Sequence, residues 1–334
     1  MGVSKKFRAR SCWLLASSVL ALSLTAKTAG ALTIVDQFIS SGTNAFTGTA
    51  MTEGQIMAAT TALAALYSNP ETISIVFGAN STFGDGAQST TTPYFQSYIN
   101  YVNLLSAYSL ANPANTTLAT AVANLPNGNG GANPLPVLST PAQLQALGIN
   151  VAGNFDSNGN VVVGGTFDGL ITVGTTADIS AVIHEIDEIL GGGGQGSYVG
   201  VASQNFCLNS NVRSDCYGAL DLYRYSAPGV GSFTDDPNAI AYLSVDGGVT
   251  NLATFNQSGV GDYGDFITTP CLIQSFEVCS NPDTFIRGSV EDLMLQSIGY
   301  NPTPLPAALP LFATGLGGLG LLGWRRKRKA QAVA

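Results

Sequence analysis

The sequence has almost no positive charge between its two ends. Of its 13 lysines and arginines, ten lie before residue 28 or after residue 324, and the stretch between contains no lysine. Arg213, Arg224 and Arg287 therefore stand against all 21 acidic residues, which gives the central region a net charge of −18. Phosphate backbones and anionic membranes repel such a chain, so nucleic acid is excluded as a partner class, whereas cations are favoured.

Histidine and cysteine are also scarce. His184 is the only histidine and no G-x-S-x-G sequence occurs, so a serine triad is not indicated. Cys12 lies near the N-terminus, and four other cysteines form an even set without C-x-x-C spacing, which favours two disulfides over a structural zinc site. The simplest of the three connectivities is local, Cys207 with Cys216 and Cys271 with Cys279.

Long apolar runs are confined to the two ends of the chain. Residues 1–31 combine a basic start, a short apolar stretch and the small residues Ala29-Gly30-Ala31, the pattern of a cleaved export signal. An apolar run at 307–323 precedes a basic tail, which predicts a short membrane-spanning helix with the tail in the cytoplasm. We expect an N-terminal α/β region at 32–135, a second region at 136–302 and an anchoring segment at 303–334.

One predicted helix concentrates the chemistry of the sequence. Apolar residues recur at helical spacing over Ile179–Leu190, Asp178 is a suitable N-cap, and a run of glycines ends the helix. His184 and Glu188 are four residues apart, so they lie one turn apart on the same face. A histidine and a carboxylate at that spacing can bind zinc, and Glu185 can then act as general base on a metal-bound water.

Zinc sites usually have three protein ligands, so a third must come from elsewhere in the chain. Asp221 is our candidate for it, and Tyr225 is a candidate donor to the oxyanion that forms during hydrolysis. In the acidic loop Gly261–Phe266, Asp262 and Asp265 could bind Ca²⁺ or the catalytic metal, with ordinary solvation of the loop as the alternative.

The remaining patterns predict a mixed α+β fold. Gly78–Thr92 is expected to be a loop, because it is rich in glycine, serine and threonine. Strands are expected at Leu32–Ile39, Thr72–Gly78 and Leu170–Val173. Helices are expected at Thr52–Tyr67, Tyr94–Ala111, Asn115–Leu125, Pro141–Leu147 and Val290–Tyr300.

The run His184–Gly191 resembles the active-site helix of metzincin-type zincin metalloproteases, with Glu188 in place of the second histidine. Gly194 stands where that family has its third histidine. The stretch Asp221–Gly229 is similar to the turn beneath the metal in the family, with Tyr223 in place of its methionine. The resemblance implies a zincin-like α+β domain with a loop-rich C-terminal subdomain, Zn²⁺ as cofactor, and protein or peptide substrates.

The C-terminal segment resembles a VPLPA-type PEP-CTERM sorting signal. Pro304–Pro310 reads P-L-P-A-A-L-P before the apolar run, and Thr303 replaces the first valine of the pattern. The resemblance implies export through the inner membrane of a Gram-negative bacterium, with transient anchoring by helix 307–323. It also implies processing by an exosortase-like enzyme, and then a location at the cell surface or outside the cell.

We therefore predict an exported zinc endopeptidase with its catalytic region at 136–302. His184, Glu188 and Asp221 would hold the metal, Glu185 would be the general base, and Tyr225 would stabilise the oxyanion. The alternative is a non-enzymatic, secreted surface or extracellular-matrix protein in which the His184 helix is purely structural.

Overall fold

The computed structural model describes residues 30–125, 136–199, 216–258, 261–267, 271–277 and 284–304. The predicted export signal and the predicted helix 307–323 lie outside these residues. Within them, no helix has the length and apolar character needed to cross a membrane.

The described residues form a mixture of helices and short strands, which fits the predicted α+β class. The helices are α1 (Glu53–Ala64), α2 (Tyr98–Ala111), α3 (Thr116–Ala123), α4 (Pro141–Ala146), α5 (Ile179–Ile189) and α6 (Val290–Ser297). The strands are β1 (Thr33–Phe38), β2 (Thr72–Ala79), β3 (Ala87–Thr90), β4 (Tyr94–Gln96), β5 (Val137–Ser139), β6 (Gly153–Phe155), β7 (Val161–Gly165), β8 (Gly169–Val173), β9 (Tyr217–Gly218), β10 (Arg224–Ala227), β11 (Val230–Gly231), β12 (Tyr242–Leu243) and β13 (Ala253–Thr254).

A four-stranded sheet in the order β1-β2-β8-β3 carries the centre of the fold. β1, β2 and β8 run parallel, and β3 pairs antiparallel with β8 at the edge. β2 is almost continuously apolar, which suits a central strand covered on both faces. Because β8 lies between β2 and β3, the boundary predicted at residue 135 runs through one sheet rather than between two folding units.

Two segments differ from the sequence prediction. β3 forms inside the expected loop Gly78–Thr92, because pairing with β8 in the register Ser89↔Ile171 outweighs a composition that disfavours strands. The helix expected from Tyr94 begins only at Tyr98, because the Ser97 side chain accepts a hydrogen bond from the Asn100 N–H and caps it there. The three preceding residues form β4.

Helix α5 packs against this sheet and confirms the helix predicted from the apolar spacing. The Asp178 side chain caps it, accepting from the N–H groups of Ser180 and Ala181 at 2.9 and 3.1 Å. Val182 and Ile186 are fully buried in the core. His184, two residues from each of them, is turned to a different side of the helix.

Buried asparagines of the N-terminal half bind the segment that contains α6 and the residues directly after it. Asn115 accepts from the Leu118 N–H as the N-cap of α3 and donates to the carbonyl oxygens of Gln296 and Tyr300. Asn69 similarly donates to the Gly299 carbonyl oxygen. These bonds hold α6, which brings Glu291 beneath α5.

Cys216 and Cys271 are both disulfide-bonded. Cys207 and Cys279 lie outside the described residues. The local pairing therefore stays a prediction.

We expect Asn115→Ala to lower the free energy of unfolding by about 2–3 kcal/mol, because it removes a helix cap and the buried donor to the Tyr300 carbonyl oxygen. Ser97→Ala, which removes only an exposed cap of α2, should cost about 1 kcal/mol. Urea unfolding of both variants measures the difference, and equal losses would contradict a fastening role for Asn115.

Candidate metal centre

The two ring nitrogens of the single histidine have different partners, and Nε2 can bind a metal in exchange for its hydrogen bond from Gln274. Nδ1 of His184 lies 3.0 Å from the Ile273 carbonyl oxygen. A carbonyl oxygen only accepts, so Nδ1 carries the proton and Nε2 is left as the ligand atom. Nε2 faces Oε1 of Glu188 at 3.5 Å and Oδ1 of Asp265 at 3.7 Å.

His184, Glu188 and Asp265 form the metal-binding group that the described residues offer. Each supplies one donor atom, and these atoms lie within 4.8 Å of one another. Tetrahedral zinc with bonds of 2.0–2.1 Å sets its ligand atoms ~3.3 Å apart, so the distances of 3.5 and 3.7 Å from His184 Nε2 are near the required span. One nitrogen and two carboxylate oxygens are also accepted zinc donors, and the residues therefore fit the ion.

Asp221, the predicted third ligand, is not part of this group. It is fully buried, and its oxygens accept from Ser197 Oγ at 2.5 Å and from the N–H groups of Tyr198 and Gly218 at 2.8 Å each. Nε of Arg224 lies 3.9 Å from the same carboxylate. These bonds occupy the Asp221 oxygens and order the chain around β9. Asp265 therefore replaces Asp221 as the candidate third ligand.

Tyr225, the predicted oxyanion donor, is also engaged elsewhere. Its ring is buried, and its hydroxyl donates to the Asn124 carbonyl oxygen at 2.8 Å. A phenol that already donates to a main-chain carbonyl has no second hydrogen for an oxyanion. The structure therefore gives Tyr225 a packing role.

Ser89 on the edge strand orients both glutamates of α5, and no sequence pattern marks it as a functional residue. The Ser89 N–H donates to Oε2 of Glu185 at 2.5 Å, and its hydroxyl donates to Oε2 of Glu188 at 2.5 Å. Oε1 of Glu188 accepts from the Gly194 N–H at 2.9 Å. Glu188 is thus oriented with Oε1 toward His184, as a ligand needs to be.

The carboxylates around His184 change one another's proton affinity. Burial, followed by the charge of Glu188, raises the pKa of Glu185 well above its usual range. Burial raises the pKa of Asp265 to about 7, although His184 opposes the change. Burial also acts on Glu188, but hydrogen bonding to His184 and the charge of His184 outweigh it and leave the pKa of Glu188 lowered.

The His184 ring can be either protonated or neutral in the absence of metal. Burial lowers its pKa, but the bond to Glu188 and the charges of Asp265 and Glu188 outweigh burial and raise the pKa well above its ordinary value. The recorded hydrogen bonds are those of the neutral ring, since Nε2 of Gln274 lies 3.0 Å from His184 Nε2 and also donates to Asp265 Oδ1 at 3.0 Å. Zinc requires this neutral ring, so metal and proton compete for Nε2.

A cavity of about 230 Å³ opens beside the cluster. His184 and Glu185 form part of its wall, so the general-base candidate reaches the space where a substrate would lie. The other walls come from the segment before and within β3, the first turns of α5, and residues 272–277. This volume suits one or two side chains of a larger ligand.

Comparison of the chain with protein-family models, with curated proteins and with solved structures gives no match. The assignment of this site therefore depends on its geometry and on the motif His184–Glu188.

We expect about one zinc ion per chain in the purified protein, and its loss in Asp265→Asn as in His184→Ala, because each variant removes one of three ligands. Asp262→Asn is the matched control, since Asp262 belongs to the same loop but lies outside the ligand group. Elemental analysis measures the metal. Retention of zinc by Asp265→Asn would contradict the ligand set.

Zinc binding should also release protons, about two at pH 6 and fewer at pH 8. His184 and Asp265 both hold a proton below their raised pKa values and must lose it to bind the ion, and the Asp265 proton is already gone above about 7. Calorimetry in buffers of different ionisation enthalpy counts the protons. A release that does not change with pH would count against this assignment.

Proposed function

We propose that this protein is a zinc-dependent endopeptidase. The observation that carries the proposal is the convergence of His184, Glu188 and Asp265 beside Glu185 at a cavity wall. Three metal ligands next to a separate carboxylate are the parts that metal-assisted hydrolysis requires. Since the α5 sequence resembles the active-site helix of zincin proteases, we infer that the bond hydrolysed is a peptide bond.

The proposed mechanism gives separate roles to the zinc ion and to Glu185. Zinc, when bound, supplies Lewis acidity that polarises the substrate carbonyl and acidifies water. Glu185 accepts a proton from the attacking water and delivers it to the leaving amine, so one water is consumed per peptide bond. Because burial raises its pKa, the Glu185 carboxylate accepts a proton more readily than an exposed glutamate does.

The ligand charges predict the strength of the catalyst. Glu188 and Asp265 together carry two negative charges, which largely neutralise a divalent ion. A zinc ion bound in this way is a weaker Lewis acid than one bound by three neutral histidines. Slow or specialised turnover is therefore expected.

The predicted segments at the two chain ends support a location at the cell surface or outside the cell. The export signal at 1–31 and the sorting segment at 303–334 fit a protein that crosses the inner membrane, is held there transiently, and is processed by an exosortase-like enzyme. The net charge of −18 between the ends suits protein or peptide substrates rather than nucleic acid.

Glu185→Gln should keep its zinc and lose at least about 100-fold in turnover, because the amide is similar in shape but cannot take a proton. Tyr225→Phe should keep activity close to that of the wild type, since its hydroxyl bonds to Asn124. Cleavage of a mixed peptide library by the zinc-loaded protein, followed by mass spectrometry, measures both.

Two outcomes would change the proposal. Full activity in Glu185→Gln would remove Glu185 as the base. A zinc-loaded wild type that cuts no peptide would leave the non-enzymatic surface or matrix protein as the better description.

A further inference from the structure

Arg224, the first residue of β10, is a fully buried cation that the proposed mechanism does not use. Its guanidinium carbon lies 4.2 Å from the centre of the Phe255 ring, and Nη2 donates to the Gln257 side chain. Nη1 donates to the Tyr263 carbonyl oxygen at 2.6 Å. A buried charge without partners is strongly unfavourable, so these contacts are what allows Arg224 to remain inside the protein.

Asp221 supplies the opposite charge to this cation. Nε of Arg224 lies 3.9 Å from Oδ1 of Asp221. The Asp221 carboxylate in turn accepts from the Ser197 hydroxyl and from the N–H groups of Tyr198 and Gly218. Because three donors fix the carboxylate, the guanidinium beside it is also held in one place.

The carbonyl group that Arg224 binds belongs to the loop that carries Asp265. Tyr263 precedes Asp265 by two residues. On this side of Asp265 the loop is also held by the Asn256 amide, which donates to the Asp262 carbonyl oxygen at 3.2 Å. The bond from Arg224 is shorter and has a charged donor, so it is the stronger of the two.

The position of this loop decides whether Asp265 can act as a ligand. Oδ1 of Asp265 lies 3.7 Å from His184 Nε2, already slightly more than the ~3.3 Å between ligands of tetrahedral zinc. A metal site needs its ligands held to within about 0.5 Å. Gly261 and Gly264 give the loop little stiffness of its own, so its position must be set by contacts from outside.

We propose that Arg224, held by Asp221, is a positioning residue for Asp265 at the candidate zinc centre. The inference rests on the zinc centre of the proposed function and adds the residues that set its geometry. Asp221 thus influences the metal without binding it, through Arg224 and the Tyr263 carbonyl oxygen. Neither side chain belongs to the ligand group, so neither is a catalytic residue.

Arg287 provides a matched control for Arg224. It also pairs with a buried aspartate, Asp292 at 2.7 Å, and donates to a main-chain carbonyl oxygen, that of Leu66. It also lies over an aromatic ring, with 5.6 Å to the centre of Tyr67. These contacts join α6 to the segment after α1 and do not involve the loop of Asp265. Arg287→Lys therefore makes the same chemical change outside the link to the candidate zinc centre.

The test compares the zinc affinity of the purified variants by competition with a chromophoric chelator, at a temperature at which each variant is folded by circular dichroism. We expect Arg224→Lys to raise the zinc Kd about 10-fold or more, because a single ammonium cannot reproduce the planar fork that binds Gln257 and Tyr263 together. Arg287→Lys should lower the Tm and leave the Kd unchanged.

Hydrogen exchange gives a second measurement that needs no metal. The Phe266 N–H, directly after Asp265, donates to the Gln274 carbonyl oxygen at 2.8 Å. In the zinc-free protein its exchange should accelerate in Arg224→Lys by a larger factor than the exchange of β2, because the loop is loosened locally. In Arg287→Lys no such difference is expected.

A double variant keeps the test valid if Arg224→Lys does not fold. Arg224→Met combined with Asp221→Asn removes both charges of the buried pair, which proteins often tolerate, and leaves the Tyr263 carbonyl oxygen without its donor. Its zinc Kd should rise as in Arg224→Lys.

Two results would overturn the inference: a folded Arg224 variant with the zinc Kd of the wild type, or an equal rise of the Kd in Arg287→Lys. A wild type that binds zinc but cuts no peptide would contradict the proposed function and leave this inference standing. A wild type that binds no zinc would overturn both. The pattern of results therefore shows which of the two has failed.

Discussion

The burial of three neighbouring carboxylates on one helix is the constraint on which the rest of the structure depends. Glu185, Asp187 and Glu188 are all buried, in a region of sequence without lysine. Each must find donors, a proton or a cation, because an isolated charge in the interior is strongly disfavoured. Ser89, Gly194 and His184 meet this need for Glu185 and Glu188.

This constraint explains why the elements around α5 are irregular. The edge strand β3 approaches the helix so that Ser89 can donate twice, and the loop around Asp265 folds back to complete the cluster. Gln274 then donates into the space between them. Groups that are distant in sequence therefore meet at one helix, and the candidate metal centre lies where they meet.

Local sequence predicted some of this and could not predict the rest. Helix α5, its cap Asp178 and the pairing of His184 with Glu188 are all encoded within twelve residues, and the structure confirms the helix. Asp265 could be named only as one of several acids, because its position depends on how a loop packs. The prediction of Asp221 as a ligand is wrong because main-chain N–H groups satisfy its carboxylate, which its local sequence pattern does not show. Ser89 was missed because its strand exists only through pairing with β8.

The glycine run that ends α5 brings its backbone close to the candidate ligands. A Cβ on Gly193 would collide with the Gln274 amide, and one on Gly194 would collide with Oε1 of Glu188 and Oδ2 of Asp262. The backbone of this run therefore lies too close to its neighbours to leave room for a side chain. Among these neighbours is Oε1 of Glu188, a proposed zinc ligand. A change of a single methyl group in this run would therefore be felt first by the ligands and only afterwards by the fold.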